Sequence, residues 1–205
     1  MASEKEKMLQ GKIYDPSDDE LAALRKKAHK LSRLYNQLDE DDPERERLLQ
    51  DLIPNMGQGV YLQGPIQFDY GCNTTMGDDV FANFNLTVLD VCPVKIGSST
   101  YFGPNVSIMT PIHPLLGEER KLFINAKGNR TDMEYAKPIV IGSNCWIATG
   151  VIICGGVTIG DNVVIGAGAV VTHDIPSGVL AAGIPCKVIR KLTEEDSIYK
   201  NKNLW

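Results

Sequence analysis

The run Pro138-Ile139-Val140-Ile141-Gly142-Ser143-Asn144-Cys145-Trp146-Ile147-Ala148-Thr149-Gly150-Val151-Ile152-Ile153-Cys154-Gly155-Gly156-Val157-Thr158-Ile159-Gly160 holds 23 residues without one charge. Length and charge alone would admit a membrane span. The internal pattern argues against it. Ile141, Ile147, Ile153, Ile159, Ile165 and Val171 follow one another at intervals of six, and most are trailed by a small residue. Two positions ahead of each stands another apolar or small residue: Ile139, Cys145, Val151, Val157, Val163 and Ala169. Residues i−2 and i on a strand point the same way, so each hexad reads as a very short strand with two inward side chains. Glycine and asparagine between them permit a turn before the next strand. Six such hexads in register imply a parallel β-helix whose stacked coils share one core, three hexads making an 18-residue coil. The uncharged run is then a soluble coil.

Working outward, the same phase returns at Ile96, Phe102 and Ile108, and more weakly at Met76, Ala82 and Val88, with a two-residue slip near Pro93. Residues 113–137 are polar and break the phase, which predicts a loop thrown out of the coil. Trp146, Ile152, Val164 and Val170 occupy outward slots. Apolar faces of that extent are rare on soluble monomers and predict packing against neighbouring subunits, as a trimer.

Residues 1–51 differ in kind, with 23 of the 47 charged residues and one of the 19 glycines, Gly11. Asp15-Pro16-Ser17 reads as a turn, with Ser17 as N-cap and Glu20 completing a capping box. Leu21, Leu24, Ala28, Leu31, Tyr35 and Leu38 then share one helix face. Glu44 to Ile53 reads as a second helix, stopped by Pro54. These helices form either a packing unit or a binding element. The division expected is a helical segment over 1–59, a β-helix over 60–190 carrying the 113–137 loop, and a tail over 191–205.

With 205 residues, 43% hydrophobic and 23% charged, the chain is long enough for a buried core and too apolar for disorder. A net charge of −5 argues against a general nucleic-acid binder. The absence of a basic segment followed by an apolar one predicts a cytoplasmic protein, neither exported nor membrane-bound. Five cysteines without a CxxC pair read as reduced thiols. Three histidines, with His29 on a helix and His173 outside the uninterrupted hexads, make a three-imidazole metal site a poor reading, and no metal is expected. No Walker lysine, dinucleotide fingerprint or nucleophile elbow is present. His29 reads as a solvated helix residue and His173 as a turn residue. His113 closes the Ile108 hexad, precedes Pro114 and opens the polar loop. That position suits either a general base near neutral pH or a structural role.

Several strings carry a family resemblance: Gly11-Lys12-Ile13-Tyr14-Asp15, Phe68-Asp69-Tyr70-Gly71, Ala82-Asn83-Phe84-Asn85 and Leu89-Asp90-Val91-Cys92-Pro93. They continue with His113-Pro114, Pro138 to Gly142 with Trp146-Ile147, and Ala181-Ala182-Gly183-Ile184-Pro185-Cys186-Lys187-Val188-Ile189. From about residue 10 to 195 the chain resembles the maltose and galactoside O-acetyltransferases, a branch of the hexapeptide-repeat acyltransferases. Their architecture is a left-handed parallel β-helix with a small helical N-terminus. The resemblance implies transfer of acetyl from acetyl-CoA to a sugar hydroxyl, usually the 6-hydroxyl, in sites between adjacent prisms of a homotrimer.

Residue by residue, the resemblance makes His113 the general base, with Asn83 hydrogen-bonding the acceptor near the reacting hydroxyl. Asp15 and Asp69 match sugar contacts, and the backbone of Thr149 matches the oxyanion donor. Trp146, Ala167 and Thr172 match the pantetheine slot, while Lys187 and Arg190, with Lys191 beside them, supply cations for the coenzyme phosphates. Taken alone, Asp15 also reads as a turn residue, Asp69 as a coil corner, Trp146 as an interface residue and the three cations as a solvated tail. Two departures stand out. Val91 replaces an acidic sugar contact of the galactoside branch, and His173 stands where a phosphate-binding lysine is expected after Thr172. Two other readings remain open. One is acetylation of a different hydroxyl or amine, as on a nucleotide sugar, an amino acid or an antibiotic; the other is a non-catalytic scaffold binding partners through its flat faces.

Overall fold

The computed structural model describes residues 2–204. Three short helices lead the chain: α1 (Glu4–Leu9), α2 (Asp19–Tyr35) and α3 (Glu44–Leu52). A parallel β-helix follows, with strands of two to four residues wound over three faces. The first face stacks Asn55–Met56, Thr74–Met76, Val94–Ile96, Ile139–Ile141 and Thr158–Ile159. The second stacks Tyr61–Leu62, Phe81–Ala82, Tyr101–Phe102, Trp146–Ile147, Val164–Ile165 and Val179–Ala182. The third stacks Ile66–Phe68, Leu86–Leu89, Ser107–Met109, Ile152–Cys154 and Val170–Val171.

All twelve inward positions of the six hexads are buried. Each buried aliphatic removes enough apolar surface from water to contribute about 1.5–3 kcal/mol. The register joins Ile96 to Ile141 and Ile108 to Ile153, so the coil resumes in phase after the loop. The slip near Pro93 has a simple form. Coils before the loop advance from Phe68 to Val88 to Ile108, two residues longer per turn than from Ile153 to Val171. The extra length lies in the connection from third to first face. There the buried Asp90 carboxylate accepts from Tyr70 N–H (2.8 Å), Gly71 N–H (3.1 Å) and Thr74 Oγ1 (2.9 Å). Burial raises its pKa against those donors.

The corner between first and second faces is left-handed backbone in coil after coil, with φ of 56° at Asp79, 55° at Ser99, 56° at Asn144 and 55° at Asn162. Asn and Asp tolerate that region best among residues with a Cβ, which accounts for their place in the repeat.

The helices pack on the first coil. Ala28, Tyr35, Leu48, Leu49, Leu52 and Ile53 join Leu62, Ile66 and Phe68 in one buried cluster, with Leu31 and Leu38 against it. Leu21 instead joins a smaller cluster of Met8, Tyr14, Tyr70, Val91, Cys92 and Ala136. The cap of α2 is Asp18, not Ser17. Asp18 Oδ1 accepts from Glu20 N–H (3.1 Å) and Leu21 N–H (3.5 Å). Ser17 is drawn away because its N–H and Oγ both donate to Asp15 Oδ1, at 2.9 and 2.7 Å. At the far end Lys187–Lys191 turns back and pairs antiparallel with Val179–Ala182. Among the described residues all five cysteines are free, and no helix is long and apolar enough to cross a membrane.

Candidate active site

The loop after the third face begins with Pro111–Ile112, paired antiparallel with Tyr135–Ala136 on its return. One step further along that register, His113 faces Glu134. The backbone of Tyr14 bridges to Glu134 (N–H to O, 3.1 Å), so the N-terminal segment lies alongside the loop. Tyr14 Oη also donates to Glu134 Oε2 at 2.8 Å. Burial raises the Glu134 carboxyl above the usual range, with the Tyr14 hydroxyl and the His113 charge opposing.

His113 is 55% exposed, and its Nδ1 lies 3.7 Å from Asp132 Oδ2. Asp15 ties down the same loop. It accepts from Thr131 Oγ1 (2.7 Å) and Asn125 Nδ2 (2.6 Å) besides Ser17. Burial pushes the Asp15 carboxyl up, yet these hydrogen bonds outweigh it and hold the pKa at about 2. Asp69 stands at the same edge of the prism, just past the strand Ile66–Phe68. Its Oδ1 lies 3.3 Å from His29 Nε2, so His29 is not merely solvated but faces a carboxylate. Arg25 of α2 donates to Tyr70 Oη (2.7 Å) and to the carbonyl of Pro16 (2.7 Å).

His113, Asp15 and Asp69 therefore gather on the third–first edge, with Asp132, Glu134, Tyr14, Arg25 and Tyr70 around them. Val91 lies beneath, buried among the apolar residues of the smaller cluster. Thr172 and His173 follow the strand Val170–Val171 onto that same edge, higher on the prism, with Thr172 Oγ1 2.9 Å from His173 Nδ1.

The remaining candidates stand elsewhere. Asn83, Thr149 and Ala167 follow strands of the second face and lie on the second–third edge. Asn83 Oδ1 accepts the Phe84 N–H at 2.8 Å, which leaves the side-chain amide as donor. The Thr149 N–H has no acceptor among the described residues. Gly103 lets the two coils stack closely there, because a Cβ would sit 2.6 Å from Thr149 N and 3.0 Å from the Ala148 carbonyl carbon.

Trp146 is 55% exposed on the second face, in register with Phe81, Tyr101 and Val164. Tyr61 and Phe81 stack there at 6.0 Å between ring centroids. Ile152 on the third face is exposed and Val164 and Val170 are half-buried, while the exposed Tyr61, Tyr101 and Trp146 line up on the second face. Lys187 and Arg190 are exposed on the returning strand, and Arg190 forks onto Asp196 at 2.6 and 2.8 Å. One chain thus carries two clusters on two edges: an imidazole among carboxylates, and an open N–H beside an aromatic face.

Asp132 and Glu134 escaped the sequence reading because the loop has no periodicity to place them. Tyr14 and Tyr70 had a signal, since both lie in the strings that carry the family resemblance. Among the described residues no group of three or more His, Cys, Asp or Glu side chains is placed to hold a metal.

The hexapeptide coil with its helical cap places the chain among the hexapeptide-repeat acyltransferases. The profile described as maltose acetyltransferase hexapeptide capping motif matches residues 7–57, and that of the bacterial transferase hexapeptide, six repeats, matches 138–173. A galactoside O-acetyltransferase of Escherichia coli is 38% identical over 97% of this chain and 94% of its own. A solved maltose O-acetyltransferase from Clostridium difficile is 44% identical, with a TM-score of 0.85 over 94% of this chain and 99% of that one. A galactoside acetyltransferase solved with coenzyme A is 36% identical, with a TM-score of 0.86 over 96% and 94%. The chain belongs to the maltose and galactoside O-acetyltransferase family.

Proposed function

We propose that this enzyme moves the acetyl group of acetyl-CoA to a sugar hydroxyl, with the primary 6-hydroxyl of a glucosyl, maltosyl or galactosyl unit as the target. The observation that carries the reading is the exposed His113 imidazole, 3.7 Å from Asp132 at an edge of the coil that also carries Asp69 and Glu134. A sugar hydroxyl is a poor nucleophile at neutral pH until a base shares its proton. His113 takes that proton through Nε2 as the oxygen attacks the thioester carbonyl. The tetrahedral oxyanion is held by an N–H donor, the role of Thr149. Collapse expels the coenzyme thiolate, which recovers the proton from the imidazolium. No acyl-enzyme forms.

Asp15 and Asp69 accept from vicinal hydroxyls, and Asn83 holds the reacting one. The carboxylates also favour a neutral polyol over an anionic nucleotide sugar. Pantetheine lies along Trp146, Ala167 and Thr172, and Lys187, Arg190 and His173 meet the phosphates. Because His113 and Thr149 stand on different edges, one protomer's third–first edge must meet the second–third edge of the next. A cyclic homotrimer achieves this while covering the aromatic second face. Five unpaired cysteines suit a reducing, cytoplasmic setting.

The test is coenzyme thiol release across a panel of mono- and disaccharides. His113→Ala should lower turnover at least about a hundredfold, the low end of general-base contributions. Near-normal turnover with the assembly intact would sink the reading.

A further inference from the structure

We propose that Asp132 is a positioning residue for His113: its carboxylate holds the imidazole by Nδ1 and leaves Nε2 as the basic nitrogen toward the acceptor. This rests on the general-base reading above and deepens it.

Three observations carry the assignment. Asp132 Oδ2 lies 3.7 Å from His113 Nδ1, and its side chain is only 26% exposed. Among the described residues that carboxylate has no hydrogen-bond donor; the imidazole is its ion-pair partner, and Glu134 lies close enough to feel its charge. The third is how its backbone is held. Thr131, the preceding residue, donates to Asp15 at 2.7 Å, and Tyr14 clasps Glu134 two residues on. Asp132 is thus pinned on both sides by the N-terminal segment, while its own side chain is left for His113.

At 3.7 Å the pair is an electrostatic contact, not a closed hydrogen bond. Catalytic hydrogen bonds are often that long before substrate arrives. A carboxylate at Nδ1 does two things for a base. It fixes the ring orientation, and it selects the tautomer whose Nε2 lone pair is free. It also stabilises the imidazolium formed when the sugar proton transfers. Glu134 carries a second charge felt by His113, but its Oε2 is engaged by Tyr14. Asp69 faces His29, and Asp15 is tied to Thr131 and Asn125 of the loop, so neither is paired with the ring. Arg25 is committed to Tyr70 and Pro16.

The experiment compares Asp132→Asn, Asp132→Glu and His113→Ala in the intact enzyme. Turnover of Asp132→Asn should fall at least about tenfold with KM for acetyl-CoA unchanged, as for losses of groups that orient a reacting residue. Asp132→Glu should restore most of the turnover. Nitrogen-15 spectra of the histidines give a readout free of activity: the Nδ1-protonated form should dominate at His113 and give way in Asp132→Asn. Asp132→Asn turnover within twofold of the parent, with the His113 nitrogen-15 signals unchanged, would overturn the inference. A dead His113→Ala beside a fully active Asp132→Asn would remove this inference alone. An active His113→Ala would remove the base reading and this inference with it.

Discussion

Asp15→Ala removes the carboxylate that fastens the protruding loop to the N-terminal segment. Of the four hydrogen bonds it accepts, two come from the loop, from Thr131 Oγ1 at 2.7 Å and Asn125 Nδ2 at 2.6 Å. A hydrogen bond to a charged group contributes about 1.5–3 kcal/mol net, and partial exposure puts these at or below the lower end. Two bonds at about 1–1.5 kcal/mol each give about 2–3 kcal/mol, which raises the open population of the loop by about 30- to 150-fold. Hydrogen exchange reads this directly. Amides of the loop hairpin, Phe123–Ile124 with Arg130–Thr131, should exchange faster by that factor, while those of Ile139–Ile141 stay as slow as before. The parent protein offers the same experiment through pH. Its Asp15 pKa is depressed to about 2, so the strap is at full strength above about pH 4 and is lost as pH falls through 2. Loop protection within threefold of the parent in Asp15→Ala would refute the strap.

Other outcomes follow from the same geometry. Asp90→Ala leaves the Tyr70 N–H, Gly71 N–H and Thr74 hydroxyl without their acceptor, and urea unfolding should show a loss of about 2–4 kcal/mol. Gly103→Ala drives a methyl to 2.6 Å from Thr149 N, backbone of the next coil, so urea unfolding should show a loss of about 1–3 kcal/mol as the coils shift apart. Asp196→Ala frees the Arg190 guanidinium from its forked pair, and calorimetry should show coenzyme A binding a few-fold tighter.

The coil was legible in the sequence because its rule is local. An inward pair every six residues survives any rearrangement of what surrounds it, and all twelve positions from Ile139 to Val171 are buried as the period requires. The α2 stripe was legible for the same reason, with Leu21, Ala28 and Tyr35 buried. Its cap was not. Ser17 and Asp18 both fit a capping pattern, and the choice was made by Asp15, which takes up both Ser17 donors. The family strings name His113, Asp15 and Asp69, and the fold brings those three to one edge of the coil. Asp132 and Glu134 were not legible, because antiparallel pairing across the loop sets them beside His113 and no repeat reports that pairing. Nor does a linear chain disclose that Asn83 and Thr149 fall on a different edge from His113. That follows only from counting faces around the coil.

The helical cap has a consequence beyond packing. A stack of parallel coils ends in a ring of unpaired peptide groups, a template onto which another molecule's strand can add. Here the first coil is met by side chains that copy what a strand would offer. Asn36 accepts from the Ile66 N–H at 2.7 Å and donates to its carbonyl at 2.9 Å, while the Tyr35 hydroxyl and Arg45 (3.0 Å) donate to the Leu62 carbonyl. At the opposite end the second face is closed by Lys187–Lys191 running the other way, with two lysines and an arginine along it. A winding that has no intrinsic reason to stop is thereby given a definite length.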